Sequence, residues 1–138
     1  MILLIRIAGH VDMNQDMEET LFRIRLRRKY AAVLLKETEE NKKLIMKIRN
    51  FVAYGKIDAE TLKLLISKRA ISIDKKKVDA DKIIEALEKK DLASQGVKPY
   101  FRLHPPRGGI DSRIHFGVRK GVLGDNKEKI NDLVRRML

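Results

Sequence analysis

Apolar and polar positions alternate along the chain in a way that marks out short, well-bounded elements. Ile2 to Ala8 is an apolar run broken only by Arg6, which predicts a buried strand. Gly9 to Gln15 interrupts the pattern and reads as a loop. Asp16, with Glu19 three residues on, has the form of a capping box. It predicts a helix to about Arg28 with Met17, Leu21 and Ile24 on one face. Ala31 to Leu35 predicts a second strand. Thr38 is the next N-cap candidate, and Leu44, Ile45 and Ile48 give the following helix its apolar stripe. Phe51 to Ile57 predicts a third strand, in which Gly55 permits a bend or bulge.

Both connections between these strands pass through a helix. Residues 1–57 therefore predict an α+β unit, a βαβαβ ferredoxin-like core with a three-stranded antiparallel sheet. Two helices cover one sheet face, and the other needs cover or a partner. Asp58 begins a third helix with Leu62, Leu65 and Ile66 apolar. Ile71 to Ile73 is a short extended link. Asp79 caps a fourth helix carrying Ile83, Ile84 and Leu87. Residues 58–92 thus form a helical insertion that packs on the core. Ser94 to Lys98 is a linker, and Tyr100 to His104 a strand ending at Pro105-Pro106. From Pro105 to Gly124 there are two prolines and five glycines among few large apolar residues. Such a stretch builds no core of its own, which predicts an extended loop, mobile when free and ordered by a partner. Asp125 with Glu128 marks a second capping box. The last helix bears Ile130, Leu133, Val134 and Met137 on one face and packs residues 93–138 back on the core, giving one compact domain.

Charge changes the picture from fold to partner. The 138 residues carry 31 Lys and Arg against 19 Asp and Glu, a net charge of +12. A polyanion is the simplest counterpart of such an excess. The excess is uneven: residues 58–92 hold 9 basic against 8 acidic side chains, 1–57 hold 12 against 7, and 93–138 hold 10 against 4. There is no cysteine, which removes disulfides, thiol catalysis and thiolate metal sites and fits a reducing, cytoplasmic setting. The opening Met1 to Ile5 is too short for a membrane span and lacks the basic leader of a signal peptide. With Met1 at the edge of the first strand, no flexible N-terminal arm is expected.

Three groups of cations are candidates for phosphate contact. Arg102, Arg107, Arg113, Arg119 and Lys120 are spread along the Pro/Gly-rich stretch, opposed only by Asp111 and interleaved with Tyr100, Phe101, His104, His115 and Phe116. Prolines hold such a backbone extended, glycines let it approach a ligand, and rings stack on unpaired bases. Phe101 and Phe116 are expected in the core. Arg23, Arg25, Arg27, Arg28 and Lys29 crowd the end of the first helix and repel one another unless counter-charged. Lys42, Lys43, Lys47 and Arg49 on the second helix serve either as phosphate contacts or as its wet side. Arg135 and Arg136 lie in the final turn, where cations suit the helix dipole. Gly121-Val-Leu-Gly124 has the Gly-x-x-Gly form of KH loops, but a turn before an N-cap explains it. The three histidines lack metal-ligand spacing, and no phosphate-loop, nucleophile-elbow or dinucleotide fingerprint is present. No enzyme, metal, cofactor or small-molecule substrate is expected.

Four stretches together resemble a known family. They are Ile5-Arg6-Ile7 with Thr20-Leu21 and Leu26-Arg27-Arg28; Phe51-Val-Ala-Tyr-Gly-Lys-Ile57 followed by Asp58; Phe101-Arg-Leu-His-Pro-Pro-Arg-Gly-Gly109; and Leu123 to Met137. The chain is similar over nearly its whole length to the large-subunit ribosomal protein family called L-thirty, in its longer archaeal and eukaryotic form (eukaryotic members are called L-seven). The resemblance implies a non-enzymatic structural constituent of the cytoplasmic ribosome that binds large-subunit ribosomal RNA, with neighbouring ribosomal proteins as further partners. The longer members also lie near the 5S RNA, which makes it a candidate partner. It implies RNA-contact roles for Arg27, Arg28, Arg102, His104, Arg107, Arg135 and Arg136. The absence of a basic N-terminal extension points to the archaeal type. Lys42-Lys43 stand where members commonly have Arg-Gly, and Val118-Arg119-Lys120 loosen the Gly-rich stretch. Two other readings are a DNA-binding protein that uses the helical insertion as a helix-turn-helix, and a ferredoxin-like regulatory ligand-binding domain. The near-neutral insertion speaks against the first, and the net charge of +12 and the long basic Pro-Gly loop against the second.

Overall fold

A computed structural model describes residues 1–11, 13–87 and 89–138; Asp12, in the expected first loop, and Glu88, in the insertion, lie outside the described residues. The first half follows the apolar pattern. Strand β1 (Ile2–Arg6), helix α1 (Gln15–Arg23), strand β2 (Ala31–Leu35), helix α2 (Glu39–Ile48) and strand β3 (Val52–Lys56) form the expected βαβαβ unit. β1 lies between β2 and β3 and is antiparallel to both, with Leu4 opposite Val33 on one side and Tyr54 on the other. All five of its residues are buried, as befits a central strand covered on both faces.

Side-chain alternation sorts the core into two layers. Ile2, Leu4, Ala31, Val33 and Val52 meet Leu21, Leu26, Ile45 and Ile48 beneath α1 and α2. Leu3, Ile5, Ala32 and Ala53 face the opposite way. That second layer is completed from outside the first 57 residues. It takes Leu62, Leu65 and Ile66 from helix α3 (Ala59–Arg69), and Ile83 and Leu87 from helix α4 (Ala80–Leu87). The final helix, α5 (Ile130–Met137), adds Ile130, Leu133, Val134 and Met137.

The sheet is larger than the three strands expected. Strands β4 (Phe101–Arg102), β5 (Asp111–His115) and β6 (Gly121–Asp125) extend it to six, in the order β4-β2-β1-β3-β6-β5. β4 pairs antiparallel with β2, β6 parallel with β3, and β5 parallel with β6 in an irregular register. The stretch read as a coreless loop therefore supplies two strands, and Val122 and Leu123 are buried in the second layer. Gly121 to Gly124 is strand, neither a turn nor a KH-type loop. Two valine-leucine positions between glycines are too short a pattern to announce a strand. Phe101 is fully buried as expected, whereas Phe116 is only half-buried.

Helix ends show which caps operate. Thr38 Oγ1 accepts from the Asn41 amide at 3.2 Å, and Asp58 Oδ1 from the Thr61 amide at 2.7 Å, as expected of N-caps. Asp79 Oδ1 accepts from the Asp81 amide. For α1 the cap is Asn14 rather than Asp16, its Oδ1 accepting from the Asp16 amide. The second capping box does not close either. Asp125 Oδ1 accepts from the Lys127 amide, and a turn of 3-10 helix, Lys127–Lys129, leads into α5 without a side-chain cap.

Gly55 is not a bulge, because the ladder runs regularly through its pairing with Leu3. Its small size serves a neighbour. A β-carbon there would overlap the Lys127 carbonyl and lie 2.9 Å from the Ile130 side chain. Glycine thus lets α5 seat directly on β3. Gly55→Ala is expected to destabilise the fold by about 2 kcal/mol through overpacking. A chemical-denaturation midpoint equal to that of the parent would show that the last helix is not held against this strand.

Candidate nucleic-acid interface

α1 stops five residues before the expected Arg28. The Leu26 amide donates to the Leu21 carbonyl at 2.9 Å, and the Arg25 amide to the Phe22 carbonyl at 3.1 Å. This is the Schellman pairing, with Leu26 packed beside Leu21 in the core. The residue in the left-handed position is usually glycine, but here it is Arg25, at φ +70°. Five residues later Tyr30 is also left-handed, at φ +65°. Between these two turns Arg25, Arg27, Arg28 and Lys29 are all exposed.

The β2–β4 pairing brings a distant segment to this loop. Ala31 lies opposite Arg102, and the Leu103 amide donates to the Tyr30 carbonyl at 3.1 Å. Arg102, about 75 positions away in the sequence, thereby joins the cations of this loop in one site. They line a cavity of about 320 Å³ formed by Arg25, Arg27, Arg28, Lys29, Tyr30, Ala31, Tyr100, Arg102 and Leu103. Among the described residues no acidic side chain lines it. Among the described residues none of its five cations has an ion-pair partner. The cations instead rest on rings: the Arg27 guanidinium lies 4.0 Å from the centre of Phe22, Lys29 Nζ 5.2 Å from Tyr30, and the Arg102 guanidinium 5.9 Å from Tyr100.

Beneath the loop, Arg6 is 2% exposed. Its guanidinium donates to the carbonyls of Leu26 at 2.8 Å, Ala8 at 3.0 Å and Gly9 at 3.3 Å. The Arg6 carbonyl in turn accepts from the Tyr30 amide at 2.7 Å. Both ends of residue 6 therefore brace the basic loop. Burial pushes the Arg6 guanidinium below its ordinary value, and the nearby Glu18 carboxylate opposes that shift.

The remaining candidate cations do not join this cavity. Arg113, Arg119 and Lys120 are exposed at or beside β5, the edge of the sheet opposite β4. Lys120 Nζ also donates to the Gly108 carbonyl at 3.2 Å. Arg136 turns inward: its Nε donates to the Arg107 carbonyl at 2.8 Å and its guanidinium also to the Gly109 carbonyl. The His104 and Arg107 amides donate to the Met137 and Arg136 carbonyls. The Pro-Gly turn is thus tied to the end of α5 within the chain, and Pro106 is buried. His104 and Arg107 remain exposed. Arg135 is exposed 3.8 Å from Glu60. Lys42 pairs with Glu39 at 3.7 Å on α2, beside the exposed Lys43. Among the described residues no cluster of three or more His, Asp or Glu could hold a metal ion. No helix there is long and apolar enough to cross a membrane.

No protein-family model matches the sequence. Curated relatives do. The chain is 34% identical to the large ribosomal subunit protein uL30 of Methanococcus maripaludis, over 97% of each chain. It is 34% identical to the protein of the same name from Archaeoglobus fulgidus over 99% of each, and from Nanoarchaeum equitans over 96% of each. The chain belongs to the uL30 family. The resemblance to the L-thirty family is therefore borne out, in its archaeal form.

Within this uL30-family chain, sequence reasoning missed Arg6 and Tyr30. A lone arginine inside a five-residue buried run was the available signal, because a charge at such a position must be satisfied by something. Tyr30 carried no comparable mark. Its place in the cavity depends on the β2–β4 pairing and on a positive φ at a residue that rarely adopts one.

Proposed function

We propose that this chain is a structural, non-catalytic constituent of the large ribosomal subunit that binds ribosomal RNA, working on the cytoplasmic ribosome. The observation that carries the reading is the group of five cations around the Tyr30–Tyr100 cavity, with no acid beside them among the described residues. Full-length similarity to proteins named as large-subunit constituents supports it. Cations there replace counterions along a phosphate backbone, and an ordered loop presents them in fixed geometry. Arg113, Arg119 and Lys120 at the far sheet edge, His104 and Arg107 in the turn, Lys42 and Lys43 on α2, and Arg135 on α5 are further contacts. Arg136 contributes by holding the Arg107–Gly109 backbone in place. In this reading 1–57 is the RNA-binding core, 58–92 an insertion that closes its second layer, and 93–138 a basic arm that returns to the core. The near-neutral insertion is the surface offered to neighbouring ribosomal proteins, and 5S RNA is the second RNA partner.

The deciding experiment is sedimentation of an extract through a magnesium-containing gradient, with this chain followed by mass spectrometry. Near-stoichiometric presence in the large-subunit peak after a moderate salt wash is expected. Its absence from that peak would overturn the reading.

Arg25 gives a second, smaller test. A left-handed arginine costs about 1 kcal/mol relative to glycine. Arg25→Gly is expected to raise stability by roughly 0.5–1 kcal/mol, while weakening RNA binding a few-fold through loss of one phosphate contact. Thermal melting and filter binding at one fixed salt concentration read the two effects separately. If affinity is unchanged, Arg25 is not at the interface.

A further inference from the structure

The cavity has features that a generic phosphate-binding surface does not need. Its volume of about 320 Å³ is that of a small-molecule site rather than a groove for a duplex. Two half-buried tyrosines stand in its wall. Tyr100 packs against the core layer beneath α1 and α2, and Tyr30 against the opposite layer. Their rings are therefore positioned before any ligand arrives, which lowers the cost of binding. Tyr30 is held left-handed between the Arg6 carbonyl and the Leu103 amide. Sparsely populated backbone of this kind persists where the surrounding structure enforces it, and it gathers at binding sites.

The lining also selects among ligands. Its charged side chains are arginines and a lysine, all hydrogen-bond donors, and among the described residues no carboxylate or carboxamide side chain lines it. Cytosine and adenine offer exocyclic amino donors, which call for acceptors such as Asp, Glu, Asn or Gln. Guanine also carries an exocyclic amino group, but on its Watson–Crick edge; its Hoogsteen edge offers O6 and N7 as an adjacent pair of acceptors, which the arginine fork matches, whereas the same edge of adenine sets an amino donor beside N7. Five cations exceed what one isolated nucleotide can neutralise, but they suit a nucleotide whose neighbouring phosphates continue along a strand.

We propose that this cavity receives one unstacked guanosine of an RNA strand, with its base laid on Tyr100, its O6 and N7 edge toward Arg102, and its flanking phosphates on Arg25 and Arg28. The assignment rests on the RNA-binding reading above and adds to it a defined subsite. It makes the protein a reader of a bulged or looped-out base, so that paired RNA of the same length is a poorer ligand.

The test uses the full chain and three short RNA duplexes of common sequence: fully paired, with one bulged guanosine, and with one bulged adenosine. Affinities are measured by fluorescence anisotropy at one fixed salt concentration. Stacking of a single base corresponds to roughly five- to hundredfold in affinity. The bulged-guanosine duplex is expected to bind about tenfold or more tighter than the paired one. Tyr100→Leu, which keeps apolar bulk but removes the ring, should collapse that ratio toward one, as should Arg102→Met. Unchanged melting temperatures of both variants show that the fold is intact. Equal affinity for bulged and paired duplexes, or for bulged guanosine and bulged adenosine, would overturn the proposal while leaving general RNA binding intact. So would displacement of the bulged duplex by guanosine 5′-monophosphate at equimolar concentration, which would mark a site for free nucleotides. Absence of salt-dependent binding to all three would remove the RNA reading itself.

Discussion

Arg6→Met is expected to destabilise the protein by about 3 kcal/mol, a fall of roughly 10 °C in melting temperature for a chain of this size. The side chain lies within β1 yet is not part of the apolar ladder. It spans the carbonyls of Leu26, Ala8 and Gly9, and the Leu26 bond is fully buried. Hydrogen bonds from a charged donor contribute more than neutral ones, and removing the donor strands the buried Leu26 carbonyl without a partner. Methionine fills much of the volume, so the loss reports on bonding rather than on a void. Arg6→Lys should recover only part of the stability, because a single ammonium cannot fork toward carbonyls on both sides. A melting temperature for Arg6→Met within about 2 °C of the parent would refute this account of the residue. The basic loop rests on Arg6, so a second readout follows: amide exchange between Arg25 and Tyr30 should quicken by more than it does in α5.

Replacing Arg25, Arg27 and Arg28 together by glutamine should reduce affinity for ribosomal RNA on the order of a hundredfold at moderate salt. Each phosphate contact contributes about 0.7–0.9 to the slope of log affinity against log salt. The variant's slope should therefore be shallower by roughly two to three. Stability should change little, since these side chains are exposed and have no ion-pair partner among the described residues. Titrations at several salt concentrations decide the matter. An unchanged slope would mean that the three arginines face solvent and that the interface lies elsewhere, with the β5 edge as the next surface to neutralise.

The two arginine sites show what a sequence reveals and what it withholds. β1, β2 and β3 were legible because their apolar runs are bounded by polar caps, and Thr38 and Asp58 are caps whose chemistry is local. The end of α1 was not legible. The left-handed residue that stops it is an arginine, so the glycine that usually signals a Schellman end is missing. β5 and β6 were hidden for a related reason. Their pairing depends on β3 offering an edge, which no local pattern in a Gly-rich segment can announce. For the candidate site, charge density marked the cations at the end of α1 and Arg102 as candidates. Their assembly into one cavity is a product of the Ala31–Arg102 register, and long-range register is not written in either segment alone. The same long-range packing sent Arg136 to the backbone of the Pro-Gly turn.

The second core layer has a consequence for how the chain is made. Leu3, Ile5, Ala32 and Ala53 are all synthesised within the first 57 residues, but their cover on that face includes α5, which ends at Met137. At roughly 5–20 residues per second, the remaining stretch takes about 4–16 s to synthesise. Throughout that interval the emerging sheet carries an apolar face without its final cover. The nascent protein is thus most prone to aggregate before its last helix has left the exit tunnel. Chains cut short by premature termination before Ile130 should be captured by chaperones or degraded rather than accumulate.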